Sequence, residues 1–197
     1  MDTIVWILIL LTAFNFLLKQ TFWKPVAVGA AAGIAAIFVI LMWPYAIEQS
    51  KTQIADWLSD NQLMLDTSVV LTLEIVLQMA FCLLAVHVAN YSPVKKRMML
   101  AYRLLYWFPG VLIIPVLFFG LTQAVFSFPG VSFKLIAWFF GAFVFVIIPL
   151  GRWLIKWLLP EEDLRLELFF LTNALVAILG IIATVNGRTA VEGVGVV

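Results

Sequence analysis

The sequence predicts an all-α integral membrane protein: a single domain over residues 1–197, with about six transmembrane helices and short loops. Three observations carry that prediction. The composition is 64% hydrophobic and 12% charged, with a mean hydropathy of +1.10, whereas a soluble domain is about half apolar and a quarter charged. Apolar stretches recur at about the 20-residue length that crosses a ~30 Å hydrocarbon core. The segments between them are too short to hold a soluble domain.

Taken in chain order, the apolar stretches fall at residues 4–23, 26–47, 67–89, 104–126, 133–150 and 168–185. The first reaches spanning length only if it runs on to Trp23, and Thr12 to Asn15 makes a poor cleavage site, so it is expected to stay as a membrane helix. Gly29 and Gly33 in the second give a small-xxx-small face, continued by Ala32 and Ala36, which predicts close packing against a neighbouring helix or subunit. Between the second and third, Ile54, Trp57, Leu58 and Leu65 recur at helical spacing, with Asp56, Asp60 and Asp66 between them. That pattern suits either an interfacial helix over residues 52–65 or, equally, an ordinary connector with one interfacial Trp anchor. Phe-Pro-Gly triplets at 108–110 and 128–130 bracket the fourth stretch; the first suggests an irregular start and the second an outer turn. Pro115 and Pro149 are expected to kink their helices. An amphipathic run carries the fifth stretch to Leu159. Pro160 and the acidic residues after it then start the sixth helix, where the helix dipole favours them. Residues 186–197 are expected to form a short tail.

Lys and Arg in short loops set the orientation. With the first turn in the cytoplasm, Lys19, Lys24, Lys95, Lys96, Arg97, Arg103, Arg152, Lys156 and Arg165 lie inside. Lys51, Lys134 and Arg188 lie outside, nine against three. Both termini are therefore expected outside the cytoplasm, in a multi-pass inner-membrane protein. Lys95, Lys96 and Arg97 also offer a contact for anionic lipid headgroups, although such a group is most often a topology signal.

Polar residues inside the spans are the candidates for chemistry. Glu74 lies roughly 10 Å into the third span, where a carboxylate costs about 2.5–3.5 kcal/mol and is expected to face protein or water. Gln78 is one turn on and on the same face. One reading makes Glu74 a proton or cation site. The other, ranked slightly ahead, makes it a hydrogen-bonded carboxyl that fixes packing, with burial disfavouring its charged form. His87 falls on nearly the opposite face of that helix. Asn15 and Asn173 are expected to hydrogen-bond across helices.

Several function classes are excluded on counts. A net charge of +1 gives no basic footprint for nucleic acid; one cysteine excludes an internal disulfide or a multi-thiolate metal site, and one histidine excludes bis-histidine haem and a histidine-rich metal centre. Glu161-Glu162-Asp163-Leu164-Arg165 is one residue short of the Glu-Glu-x-x-x-Arg of CAAX-type intramembrane proteases, whose histidine motifs a single histidine cannot supply. No nucleophile elbow, zinc-protease helix or phosphate-cradling loop is present, so neither an enzyme nor a cofactor is expected.

The opening Ile4 to Leu10, continued by Phe14-Asn15-Phe16-Leu17-Leu18-Lys19-Gln20-Thr21-Phe22, resembles polytopic inner-membrane proteins associated with TonB-energising motors of the ExbB and ExbD type. The resemblance covers the first span, the size and the span count. It implies membrane subunits of that type as partners, alongside lipids, and it carries no motor residue over to this chain. The expectation is a non-enzymatic subunit of a proton-driven membrane complex, with a small ion- or proton-coupled transporter using Glu74 as the alternative.

Overall fold

The computed structural model describes residues 2–48, 61–90, 95–128 and 130–192, with side chains described for 6–48, 67–90, 95–128 and 130–182. These residues form seven α-helices and no strand: α1 (Asp2–Gln20), α2 (Pro25–Glu48), α3 (Asn61–Asn90), α4 (Lys96–Trp107), α5 (Ile113–Ser127), α6 (Phe133–Leu158) and α7 (Glu162–Glu192). Four stretches are long and apolar enough to cross a membrane: Pro25–Glu48, Thr67–Asn90, Phe133–Leu158 and Glu162–Ile182. The apolar helices Trp6–Gln20 and Ile113–Ser127 are shorter. A helix satisfies its main-chain groups within its own segment, which suits such a stretch to hydrocarbon.

Two packed groups share α1 as their link. α2 lies along α6 and also touches α5; α3 lies along α7 and also touches α4; α1 contacts α5, α6 and α7. The first core gathers Val28, Ala32, Val39, Leu121, Ala137 and Val144, and the second gathers Leu18, Phe81, Cys82, Ile155, Leu166 and Phe169. Outward faces stay apolar. On α6, Trp138, Phe139, Phe143 and Val146 are exposed, a surface that suits lipid and not water.

The structure revises several expectations. The stretch 104–126 is not one helix, because Phe108 to Leu112 separates α4 from α5. Proline at 109 lacks an N–H and Gly110 has a φ of +96°, so neither residue continues a helix. Pro115 therefore sits in the first turn of α5, where its missing N–H removes no helical bond, and it is not a kink inside a long helix. Pro149, and also Pro44, do lie inside helices. Residues 186–192 continue α7, where a tail was expected. Residues 61–65 belong to α3, and the rest of the expected interfacial helix lies outside the described residues.

Gly29 and Gly33 are not the close-packing face within this chain. A Cβ added at either would meet nothing within 4 Å. The buried positions of α2 are Val28, Ala32, Ala35, Ala36, Val39 and Ala46, so Ala32 and Ala36 of the expected stripe are buried, while Gly29 and Gly33 lie at its half-buried edge. The close approach comes from the other helix. A Cβ on Gly141 of α6 would lie 2.9 Å from Ile40 Cγ1 and 3.3 Å from the Ala36 carbonyl oxygen.

Candidate functional site at an interrupted helix

Breaking a helix exposes carbonyls at the end of the first half and N–H groups at the start of the second, with opposite partial charges. Inside an apolar bundle both sets need partners. The sequence supplies a cation for one end and an anion for the other.

Glu74 holds the N–H end. The Val111 and Leu112 N–H groups both donate to Glu74 Oε2, at 2.7 Å each, and Gln78 Nε2 donates to Oε1 at 3.0 Å. Two successive main-chain N–H groups turned onto one oxygen form an anion-binding nest, which the positive φ of Gly110 makes accessible. Each of these three partners donates to the Glu74 carboxyl. Glu74 and Gln78 are both buried, as expected, and share one face of α3. The Gln78 side-chain oxygen has no partner.

Lys19 holds the carbonyl end. Its ammonium donates to the Leu105 carbonyl at 3.0 Å, in the last turn of α4, and lies 3.0 Å from the Phe81 ring centroid and 5.7 Å from that of Phe169. The neighbouring carbonyl, Tyr106 O, accepts from the Trp23 indole N–H at 2.7 Å, while the Tyr106 hydroxyl donates back to Phe22 O. Lys19 is 1% exposed, with aromatic faces and a carbonyl in place of a counter-ion. From sequence alone, Lys19 counts only among the loop cations. The available signal was position: a lysine in the last turn of an apolar helix, where carbonyls lack partners.

The end of α1 is closed in the same manner. Arg152 donates through Nε to Gln20 O at 3.2 Å and through Nη2 to Trp23 O at 3.1 Å. Arg165 Nη1 donates to Leu159 O and Pro160 O, at 2.7 Å each, beyond the end of α6. Lys19, Arg152 and Arg165 therefore gather where the ends of α1, α4 and α6 meet the start of α7. Lys134 lies at the other end of α6.

The remaining candidates are placed as follows. Lys95, Lys96 and Arg97 are exposed at the start of α4. Asn15 does bond across helices, accepting from the Thr172 hydroxyl. Asn173 does not, since its Nδ2 donates to Phe169 O within α7 at 2.7 Å, a bond the helix offers without a second partner. Among the described residues, no group of three His, Cys, Asp or Glu side chains could hold a metal ion. No family model, curated protein or solved structure matches this chain.

Proposed function

We propose that this chain is a non-enzymatic, multi-pass subunit of an inner-membrane assembly, with a proton-driven complex of the ExbB and ExbD type as its setting. One observation carries the reading. The two buried ionisable groups at the interrupted helix, Lys19 and Glu74, are engaged by main-chain groups on either side of the break. A charge held by two or three fixed donors stabilises architecture, and a rigid apolar bundle with outward-facing aromatic side chains suits a scaffold. The resemblance of the first span supplies the setting. Six membrane crossings, with α1 and the α4–α5 pair counted as two of them, and both termini outside the cytoplasm complete the reading. The cationic end, carrying Arg152 and Arg165, then lies on the cytoplasmic side. Purification in mild detergent tests it: membrane subunits that co-purify in fixed ratio support it, and proton or solute flux by the isolated chain in liposomes overturns it.

A second reading, a proton-coupled carrier, is favoured by Gln78. Its unpartnered oxygen lies on the residue that donates to Glu74, so a turned amide would accept a proton placed on Glu74 Oε1. Interrupted helices also frame ion sites in transporters. Flux in liposomes that Glu74→Gln abolishes, with folding intact, would establish this reading over the first.

A further inference from the structure

Beyond the interrupted helix, the cationic end of the bundle carries more polar capacity than the chain itself satisfies. Arg152 uses Nε and Nη2 on the carbonyls of Gln20 and Trp23, which leaves the rest of its guanidinium N–H groups directed elsewhere. Lys156, one turn on from Arg152 along α6, is half-buried, and no bond joins it to a described residue. It lies within electrostatic reach of Arg152, Arg165 and Glu162. Arg165 is 5% exposed, yet its Nε has no partner. Gln20, whose carbonyl Arg152 holds, is fully buried, and neither atom of its side-chain amide has a partner.

Buried polar atoms without partners are uncommon. Gln20 has two and Arg165 one. The partners that the arginines do have are carbonyl oxygens, not carboxylates. Glu162, the acid within reach of Lys156, is exposed and points its charge into the same neighbourhood as three cations. An excess of positive charge with unused donors calls for an anion of several acceptor oxygens, and arginine forks match phosphate in shape and charge. Trp153 and Trp157, exposed on the same turns of α6, belong at headgroup level, where phosphates lie.

We propose that Arg152, Lys156 and Arg165 form a seat for a phosphate-bearing anion at one end of the bundle. This seat is made of residues other than the exposed Lys95, Lys96 and Arg97, and does not depend on which function the interrupted helix serves. The source is either the headgroup of an anionic phospholipid or a soluble phosphate, and the chemistry of recognition is the same.

The test follows the melting temperature of the full chain in neutral detergent during titration with phosphatidylglycerol, phosphatidylcholine or glycerol 3-phosphate. Phosphatidylglycerol is expected to raise it at concentrations where phosphatidylcholine does not. Stabilisation by glycerol 3-phosphate at matched concentration assigns the soluble source; its absence assigns the lipid. Lys156→Gln removes a cation without breaking a described bond, and is expected to need about fivefold more ligand for the same shift. Lys96→Gln, exposed and remote in sequence, is expected to titrate like the wild type. Identical titrations for wild type and Lys156→Gln, or an equal loss in Lys96→Gln, would overturn the proposal, as would an equal response to phosphatidylcholine.

Discussion

A methyl group built on Gly110 would lie 2.5 Å from Glu74 Oε1 and 3.0 Å from Gln78 Nε2. The glycine is therefore required twice, for its φ of +96° and for the room the carboxylate occupies. Gly130 has the same φ, but a Cβ there meets nothing within 4 Å. Comparison of the two separates the terms. Gly130→Ala is expected to destabilise by about 1 kcal/mol through backbone strain alone, and Gly110→Ala by about 2–4 kcal/mol, since the carboxylate must move off its donors. Thermal unfolding in detergent reads both, and equal losses would remove the crowding argument.

Glu74 itself is tested by shape against charge. Glu74→Gln keeps an oxygen for the Val111 and Leu112 N–H groups, and a turned Gln78 amide can meet the new one. A loss of about 1–2 kcal/mol is expected, the difference between charged and neutral acceptors. Glu74→Leu leaves two part-buried N–H groups without this acceptor and is expected to cost about 2–4 kcal/mol. Leucine tolerated as well as glutamine would show that the break is held by other contacts.

Lys19 and Phe81 are expected to act as a unit. The ammonium stands over the ring at 3.0 Å from its centroid, in a buried setting where the attraction is least screened. Lys19→Met removes the charge and Phe81→Leu removes the face beneath it. The double variant is expected to fall short of the sum of the single losses by about 1–2 kcal/mol. Additive losses in chemical or thermal unfolding would mean that the ring merely fills space.

How much of this was legible depended on whether the signal was local. Glu74 stands out because a carboxylate in an apolar run is costly, and Gln78 follows from helical spacing alone. Their partners lie 37 and 38 residues away on a segment whose hydropathy reads as one continuous span. Hydropathy reports side chains and is blind to main-chain interruption; the local sign was Phe108-Pro109-Gly110, read only as an irregular start. The setting of Lys19 was hidden for the opposite reason. A cation at the end of a span normally extends to the interface, and only the fold brings Leu105 O and Phe81 around it to keep it inside.

The glycine pattern of α2 gives the remaining test. A small-xxx-small motif marks where backbones can approach, but the neighbour decides which face is used. In this chain the face is Ala32 and Ala36, with Gly141 of α6 opposite. Gly141→Leu would drive a side chain into Ile40 and the Ala36 carbonyl, and is expected to cost about 2–4 kcal/mol or prevent folding. Gly141→Ala, a smaller intrusion on the same atoms, is expected to lower the melting temperature measurably without loss of the fold. Gly29→Leu and Gly33→Leu point into open space within the chain and are expected to change the stability of the isolated protein by less than about 0.5 kcal/mol. The two sets also distinguish intrachain from intersubunit packing. If Gly29→Leu or Gly33→Leu leaves the melting temperature unchanged but lowers the recovery of co-purifying subunits, the glycine face is the one a partner helix uses. A large loss of stability in the isolated chain from either substitution, with Gly141→Leu tolerated, would overturn this account of how α2 packs.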